Sequence, residues 1–492
     1  MPIYYVYNGI LLPASHAIRR TSLNGPRQMD RSVKIIAQAP AAIHMPVAAD
    51  HDGRQLWTNA AAVNSPAAPA VFVTPSTAAK CGKRIMKKPV HFYRLLKQLI
   101  RPAGWAPVGI SLLFMFTTPP GAGAIQRDMH PNTGNKRWHG LTVSPSGILE
   151  KNGRPYHGIG VNFVGALRRL LANPDDPSVL RDLRELHAYH IPFIRFPALA
   201  AWGTPARCRA YLQKVYQDNP ARYFRAMDKL CAIAVKCHVG LIPSLFFTFW
   251  PNALAHDHGL AAWNNPRSRT CRIWTRYTIR MVKRYRHNPA IWGWEFGNEF
   301  NLKMDLPNAK SLFPGYQPSW GYTHRQLWRL QAAFVRLVRR YDPYHMIEAG
   351  NSRPRASSWH NMMRHSWKKD SPHQWRYMLK MDNAAFDMIS VHEYTRRAPA
   401  DIAAAAALAA RWHKPLYVGE FGVPGPPAQS RGLFNRMLAA IIKAKLPLAS
   451  VWSFDEHSRT SGAHDYSITP TNSRSFMLRA IESANRLLRQ KQ

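Results

Sequence analysis

The sequence predicts an α/β chain in which eight strand–helix pairs close into a (β/α)8 barrel, with a hairpin before the first pair. Short apolar runs alternate with amphipathic segments from residue 125 onward, which is typical of parallel strands joined by helices. A doubly wound open sheet is the main alternative, but no glycine-rich dinucleotide turn follows the first strand. The 492 residues leave room for one barrel, about 250 residues or more, plus extensions.

The predicted strands follow one another in a regular order. The hairpin comes first, with strands at 141–143 and 147–149 and Asn152-Gly153 as the turn, a dipeptide that favours tight turns. Barrel strands are then predicted at 156–162, 191–197, 239–247, 289–298, 344–350, 386–394, 415–420 and 447–454.

The helices between these strands have one apolar face each. In the first, Asp176 can cap, Pro177 suits the first turn, and Val179, Leu183 and Leu186 share one face. Later helices are predicted at 219–237, 266–286, 323–341, 373–381, 399–412, 428–444 and 474–489.

The first 124 residues differ from the rest of the chain. Residues 1–85 show no sustained strand or helix period, so we expect an over-extended reading frame or a disordered tail. From Met86, basic residues, an apolar stretch at 104–116 and Ala122-Gly123-Ala124 follow in the order of a secretory signal peptide over 86–124. We therefore expect a start at Met86, a catalytic barrel over 125–492 and a secreted or periplasmic protein. A disordered tail followed by a membrane anchor or a buried apolar segment is the alternative.

The net charge does not identify a binding partner, and the cysteine content does not identify a disulfide. The net charge is +40, and residues 125–492 keep 53 basic against 24 acidic side chains, or +29. Such an excess favours an anionic polymer or envelope contact, but the basic residues are scattered and no nucleic-acid motif accompanies them. We therefore prefer a solvated basic surface on a monomer without a transmembrane span. Four cysteines in the barrel region permit disulfides without assigning them: Cys208, Cys231, Cys237 and Cys271.

No cofactor or metal site is predicted. The run His256-Asp257-His258 resembles a metal motif in residue type, but no third ligand with suitable spacing stands out. We interpret it as a flexible loop.

Polar side chains gather where the predicted strands end. In a barrel the chemistry lies at the carboxyl ends of the strands and on the loops that follow them. Each such residue alone has a structural explanation, such as a helix cap, an ion pair or core packing, whereas all of them on one rim predict an active site. They are Arg195, Asn298, Glu299, His392, Tyr394, Glu420 and Trp452.

Two of these residues are glutamates at strand ends far apart in sequence. Cleavage of an acetal needs a proton on the departing oxygen and stabilisation of positive charge at the sugar carbon, and two carboxyl groups supply both. Glu299 and Glu420 therefore predict a sugar-cleaving enzyme.

The motifs around the two glutamates resemble those of glycoside hydrolase family five, the cellulase-like β-glycanases. The segment Trp294-Glu295-Phe296-Gly297-Asn298-Glu299 resembles the family's Asn-Glu motif, and Val418-Gly419-Glu420-Phe421-Gly422 resembles its nucleophile strand. The resemblance covers about residues 140–490. The chain departs from the family in lacking a histidine near the end of the third strand and in carrying Phe300 where proline commonly follows Asn-Glu.

The resemblance implies a role for each rim residue. Glu299 is implied as the general acid and base, starting protonated because its pKa is expected to be raised, and Glu420 as the nucleophile. Arg195 and Tyr394 would hold Glu420 ionised. His392 would tune Glu299, Asn298 would bind the sugar 2-hydroxyl and Trp452 would stack on the sugar. Retention of configuration requires carboxyl groups about 5 to 5.5 Å apart, against about 6.5 to 9.5 Å for inversion.

Other candidate residues are expected to serve structure or substrate shape. Glu295 and Glu348 are expected in internal ion pairs, and Glu393 is expected to face the helix layer because it alternates with His392. The long segments after strands four and five carry aromatic residues suited to stacking on sugars: Phe313, Tyr316, Trp320, Trp359 and Trp367.

The first functional hypothesis is a retaining, endo-acting β-1,4-glucanase or mannanase. An exo-acting β-mannosidase or β-glucosidase-like enzyme is the second, and a non-catalytic polysaccharide-binding barrel is a third. A basic nucleic-acid or envelope-binding protein would explain the charge but not the rim residues.

Overall fold

The computed structural model describes residues 139–454 and 466–490, and the backbone of two short antiparallel strands, Tyr4–Tyr7 and Ile10–Pro13. The predicted signal peptide at 86–124 and the predicted start at Met86 lie outside the described residues.

The central element is an eight-stranded parallel sheet that is nearly closed into a barrel. The strands pair in the order β5-β4-β3-β2-β1-β8-β7-β6, which confirms the predicted (β/α)8 fold and all eight predicted strands. They are β1 Gly158–Asn162, β2 Phe193–Pro197, β3 Gly240–Phe246, β4 Gly293–Gly297, β5 Met346–Glu348, β6 Ile389–Glu393, β7 Leu416–Phe421 and β8 Leu448–Val451.

Asp387 bridges the place where the ladder between β5 and β6 is interrupted. Its backbone N–H donates to the Ile347 carbonyl at 3.0 Å, and its side-chain Oδ2 accepts from the Ile347 N–H at 2.7 Å. Farther along, the Ser390 hydroxyl donates to the Asn351 carbonyl at 3.1 Å. The side chains of Asp387 and Ser390 thus each satisfy one backbone group, the Ile347 N–H and the Asn351 carbonyl, that a regular ladder would otherwise pair.

Helices surround the barrel at the predicted places. They are α1 Gly165–Ala172, α2 Ser178–Ala188, α3 Pro205–Leu212, α4 Pro220–Lys236, α5 Trp250–Ala255, α6 Gly259–Asn264, α7 Arg269–Tyr285, α8 Ala309–Leu312, α9 His324–Arg339, α10 Ser358–Arg364, α11 Pro372–Asp382, α12 Ala398–Arg411, α13 Pro427–Lys443 and α14 Phe476–Arg489. A π-helical turn spans Gln213–Gln217, and 3₁₀ turns span Phe300–Lys303 and Pro318–Trp320.

Several helices begin where a polar side chain caps them. The Ser268 side chain accepts from the Cys271 N–H, and Ser371 with Gln374 forms a reciprocal capping box. The N-cap residue of α2 is Pro177 and not Asp176 as predicted, although Asp176 accepts from the Ser178 N–H at 2.8 Å from one position before the cap.

The predicted hairpin is a three-stranded antiparallel sheet instead. Its strands are Leu141–Val143, Leu149–Lys151 and Arg154–Pro155. The Asn152-Gly153 turn joins the second strand to the third, and both residues have positive φ, 54° and 74°. The prediction assigned this turn to the wrong pair of strands because the residues at 154–155 are too few to show a strand pattern.

This small sheet packs against the amino-terminal ends of the barrel strands. Leu141 and Leu149 lie in one buried cluster with Phe193, Ile242 and Met346. The cluster plugs that end of the barrel, so the carboxyl ends of the strands are left for a site.

Within the described residues, none of the helices combines the length and the apolar character that crossing a membrane requires. The four cysteines of this region are free thiols.

Candidate active site

The carboxyl ends of five barrel strands bring the seven predicted rim residues together. Arg195 lies in β2, Asn298 and Glu299 follow β4, His392 lies in β6 and Tyr394 follows it, Glu420 lies in β7, and Trp452 follows β8. Both glutamates are buried, Glu299 to 5% exposure and Glu420 to 0%. Positions far apart along the chain therefore meet in one buried polar cluster.

Arg195 is the centre of this cluster and is fully buried. Its Nη1 donates to Glu420 Oε1 at 2.7 Å and to Asn162 Oδ1 at 2.8 Å. Its Nη2 donates to Asn298 Oδ1 at 2.7 Å and to Glu295 Oε1 at 2.8 Å. The planar guanidinium suits such simultaneous contacts, so one side chain orients a carboxylate at the rim and another deeper in the barrel.

Glu420 receives three polar contacts. Besides Arg195, the Tyr394 hydroxyl donates to its Oε2 at 2.6 Å, and His392 Nδ1 lies 3.5 Å from the same oxygen. These three partners surround the carboxyl of Glu420 and fix its orientation.

Glu299 is held by an unusual backbone conformation. Its φ of 52° and ψ of 32° are left-handed, which is uncommon for a residue with a side chain and concentrates at functional sites. Its N–H donates to the Gly350 carbonyl at 2.8 Å. Gly350 itself has a φ of 64°, and an added Cβ would lie 1.7 Å from the Gly297 carbonyl oxygen. The close approach of the ends of β4 and β5 thus requires a glycine there.

The two glutamate carboxyls lie close to each other across His392. Nδ1 of His392 forms a hydrogen bond with Glu299 Oε1 at 2.9 Å, and one carboxyl oxygen of each glutamate and the histidine nitrogen all lie within 4.8 Å of one another. Within the described residues these three also form the one group with the spacing of metal ligands.

The pKa of Glu299 departs from the expected direction. Burial raises it, but the hydrogen bond and charge of His392, together with Lys303 and Arg195, lower it, and the net direction is below the ordinary value. The expectation of a raised pKa counted burial and a neighbouring carboxylate and omitted the cations around Glu299.

Two of these surrounding cations come from the loops after β4 and β5. Burial lowers the pKa of Lys303 to about 8, against an upward effect of Glu299, and burial likewise lowers the pKa of Arg355. Neither was singled out from the sequence, because a lysine and an arginine among many basic residues carry no distinguishing pattern.

The two carboxyl groups deeper in the barrel, those of Glu295 and Glu348, have different hydrogen-bond partners. Glu295 forms the expected internal ion pair with Arg195. Glu348 instead accepts a hydrogen bond from the Gly350 N–H at 2.6 Å, and burial together with Glu295 raises its pKa well above the ordinary value. The ion pair predicted for Glu348 is therefore wrong, because Arg195 is already occupied by Glu295 and Glu420.

An aromatic wall lies on the β3 and β8 side of the cluster. Trp452 is stacked on Phe247, with ring centroids 6.5 Å apart and planes at 17°. Tyr394 meets Tyr466 edge-on at 5.6 Å. Phe247 directly follows β3, in the region where the family often has a histidine. Its place at a strand end could have identified it as a site residue, although a phenylalanine by itself does not indicate one.

A cavity of about 310 Å³ opens on the opposite side, between β4, β5 and β6. Glu299, His392, Glu393 and Tyr394 line it, together with Arg353 and Trp375. The expectation that Glu393 faces the helix layer agrees with its charged neighbours, because its carboxyl meets Arg353 at 3.3 Å and Arg353 in turn pairs with Asp401 of α12. Trp375 was missed because it lies within α11, where an aromatic residue usually indicates core packing.

Three of the loop aromatics proposed for sugar stacking contact other aromatic rings of the same region. Phe313 is stacked on Tyr322 at 4.6 Å, with Tyr316 beside it, and Trp320 is stacked on His258 at 4.2 Å. Phe313, Tyr316 and Trp320 are also packed against the main core, whereas Trp367 is exposed.

The run 256–258 has ordered structural contacts, in contrast to the predicted flexible loop. His256 ends α5 with a left-handed φ of 61°, and Asp257 Oδ2 accepts from the Thr270 hydroxyl at 2.7 Å near the start of α7. The three residues are thus held between two helices.

Comparison with known proteins gives matches in structure only. No protein-family model and no curated protein matches the chain. Solved structures that match include an endo-1,4-beta-mannanase from Rhizomucor miehei, 12% identical with a TM-score of 0.52, covering 71% of this chain and 99% of that one. A glycoside hydrolase family 5 mannosidase from the same organism is 11% identical with a TM-score of 0.54, covering 73% and 100%. An endo-1,4-beta-D-mannanase from Thermotoga petrophila is 14% identical with a TM-score of 0.50, covering 67% and 99%. At these identities the likeness shows the shared barrel fold.

Proposed function

We propose that the protein is a retaining β-glycoside hydrolase of the family-five type that cleaves O-glycosidic bonds in a β-linked polysaccharide. The observation that carries this proposal is the approach of Glu299 and Glu420 at the ends of β4 and β7, where one carboxyl oxygen of each lies within 4.8 Å of one of the other. Such an approach is nearer to the separation of about 5 to 5.5 Å between the carboxyl groups of retaining enzymes than to the about 6.5 to 9.5 Å of inverting ones, and it supports double displacement.

In the first step Glu420 attacks the anomeric carbon while Glu299 delivers a proton to the departing oxygen. A glycosyl–Glu420 ester forms, and the glycosidic bond breaks to release the leaving sugar as an alcohol. In the second step Glu299 takes a proton from water, whose oxygen displaces Glu420 and restores the carboxylate. Two inversions at one carbon give net retention.

The proton for the first step is held by Glu299 and His392 together. Their oxygen and nitrogen are 2.9 Å apart, so a proton can pass between them within a hydrogen bond. A departing oxygen beside Glu299 takes the shared proton, so a low pKa of Glu299 alone does not prevent acid catalysis.

The remaining rim residues stabilise the ionised nucleophile and the sugar. Arg195 and the Tyr394 hydroxyl donate hydrogen bonds to the Glu420 carboxyl and orient it for attack. Asn298, fixed through its Oδ1 by Arg195, has its amide N–H groups left to donate to the sugar 2-hydroxyl. Trp452 presents an apolar ring to the sugar.

A β-1,4-mannan is the first substrate to test, followed by a β-1,4-glucan. The solved structures with the same barrel include two endo-acting mannanases and a mannosidase, which supports mannan and leaves an exo-acting enzyme as the second candidate.

A substrate panel tests the proposal. The protein is incubated with β-mannan, β-glucan and their oligosaccharides, and newly formed reducing ends are measured beside Glu420→Gln and Tyr394→Phe. We expect the wild type to release reducing sugar, Glu420→Gln to show none, and Tyr394→Phe to lose about 10- to 100-fold in kcat, the worth of a hydrogen bond to a charged group. Binding of polysaccharide without hydrolysis would identify the non-catalytic barrel instead.

A further inference from the structure

The cavity beside Glu299 adjoins the acid of the proposed reaction and not its nucleophile. Glu299 and His392 line it, whereas Glu420 does not. In a double displacement the departing sugar leaves from the side of the acid, because the proton must reach its oxygen. The cavity therefore lies where a leaving sugar would be.

Glu393 is the buried carboxyl in this cavity that the mechanism does not use. It is 1% exposed, and its Oε1 has no hydrogen-bond partner among the residues that the structure describes. The Arg353 Nε lies 3.3 Å from that oxygen. Glu393 thus lines the cavity with a carboxyl that an ion pair holds in place and whose hydrogen-bonding capacity is not filled within the described residues, which is a position suited to a ligand contact.

The charged groups that face Glu393 do not provide a net positive charge that would balance an ionised Glu393 carboxylate. Arg353 also donates to Asp401 Oδ2 at 2.6 Å, so one guanidinium is shared between two carboxyl groups. Burial and the charge of Asp401 outweigh Arg353 and raise the pKa of Glu393 to about 8. At neutral pH the group is therefore a carboxylic acid, which can donate a hydrogen bond as well as accept one.

Trp375 supplies an apolar surface in the same cavity. Its indole N–H donates to the Pro354 carbonyl at 3.1 Å, which fixes the ring. The Arg353 guanidinium lies 5.0 Å from the ring centroid. A fixed aromatic ring beside a hydrogen-bonding acid is a combination that suits the apolar face and the hydroxyls of a sugar.

We propose that Glu393 is a specificity-determining residue that hydrogen-bonds a hydroxyl of the departing sugar, which lies against Trp375. The departing unit is a neutral sugar, because among the described residues that line the cavity the arginine, Arg353, already pairs with Glu393 and Asp401. This inference rests on the proposed glycosidase function.

Substrates with and without a departing sugar test this role. Hydrolysis of β-1,4-mannotetraose leaves a sugar in the cavity, whereas β-mannobiosyl fluoride loses only fluoride. We expect Glu393→Ala to lower kcat/KM on mannotetraose about 10- to 100-fold, with at least a tenfold smaller loss on the fluoride. Glu393→Gln keeps a neutral donor and should recover most of the mannotetraose rate. Asp175→Asn, which removes a carboxylate whose side chain is 91% exposed, is the matched control and should behave as wild type.

The outcomes separate the two proposals. A wild type that hydrolyses neither substrate overturns the proposed mannan-cleaving function, and the role of Glu393 with it. An active wild type with equal losses on both substrates in Glu393→Ala, or with none, overturns only the role of Glu393. If Glu393→Ala does not fold, as judged by circular dichroism, Trp375→Leu replaces it and must show the same selectivity for the inference to stand.

Discussion

Arg195 links the rim of the site to the carboxylates inside the barrel. It contacts both Glu420 and Glu295 with a side chain that is completely buried. A charge in such a position is compensated only while both partners remain, so the consequences of changing Arg195 extend from activity to folding.

Replacing Arg195 by methionine should destabilise the protein strongly. Two buried carboxylates would lose their cation, and breaking a buried pair typically costs about 3–5 kcal/mol. Urea unfolding measures the change. The control is Arg486→Met, which removes a surface pair with Glu482 worth about 0.5 kcal/mol or less. A loss at Arg195 no larger than in this control would contradict the account of the buried network.

Replacing His392 by glutamine should move the pH–rate profile. His392 lowers the pKa of Glu299 against the effect of burial, so without the imidazole the pKa of Glu299 should rise. The alkaline limb of kcat/KM reports loss of the acid's proton and should therefore shift to higher pH. A limb that stays in place or moves to lower pH would contradict this role.

At the residue scale, the sequence predicts which residues form the site better than it predicts the surroundings of each residue. Glu299 and Glu420 could be selected because each ends a strand in a distinctive motif. The direction in which the pKa of Glu299 is shifted could not be predicted, because it depends on Lys303 and His392, which approach Glu299 only in the folded chain. The raised pKa of Glu393 could not be predicted for a similar reason, since it depends on burial and on the charge of Asp401 in α12.

At the scale of elements, α14 is attached to β1 by the Asn485 side chain, which forms the hydrogen bonds with the β1 backbone that a neighbouring strand would form. Asn485 Oδ1 accepts from the Ile159 N–H at 2.8 Å, and its amide donates to the Ile159 carbonyl at 2.9 Å. Both backbone groups are thereby satisfied in a buried position.

Replacing Asn485 by alanine should cost about 2–4 kcal/mol of unfolding free energy, because a buried N–H and a buried carbonyl are each left unpaired at about 1–3 kcal/mol. Chemical denaturation checks it. Ser483→Ala, an exposed site in the same helix, serves as the control and should change stability by less than about 0.5 kcal/mol. Equal stabilities for the two variants would contradict the proposed attachment.

Strands and helices were predictable because each has a strong period in the sequence. The three-stranded sheet was only partly predictable, because Arg154–Pro155 is two residues long and depends on pairing with Leu149–Lys151. The bridge between β5 and β6 was not predictable, because it depends on the contact of one side chain, that of Asp387, and a single aspartate forms no sequence pattern.

At the scale of the whole molecule, the buried Glu393 predicts a pH dependence of stability. Its folded-state pKa of about 8 lies above the ordinary value of 4.5. Between these values the folded chain keeps a proton that the unfolded chain releases, so this group's contribution to stability falls as pH rises from about 4.5 to 8 and then levels off.

The difference between wild type and Glu393→Gln isolates this contribution. Glutamine does not titrate, so the variant should gain stability relative to wild type as pH rises through that range, measured by urea unfolding at pH 5, 7 and 9. A difference that is independent of pH would show that Glu393 has an ordinary pKa.

Export and the start at Met86 remain proposals that concern the whole chain. The order of features over 86–124 motivates them. Amino-terminal sequencing of the protein from culture supernatant or periplasm tests both, and a mature terminus near Ile125 is expected. A terminus upstream of Met86 would contradict them.

The central claim is that Glu420 forms a covalent bond to the sugar while Glu299 manages the proton. Incubation with a 2-deoxy-2-fluoro-β-mannosyl fluoride, which slows the second step, followed by peptide mass spectrometry, tests it most directly. We predict one added fluorosugar, located on Glu420 and absent in Glu420→Gln. Turnover of mannan with no adduct and with inverted product, or an adduct on another residue, would contradict the account.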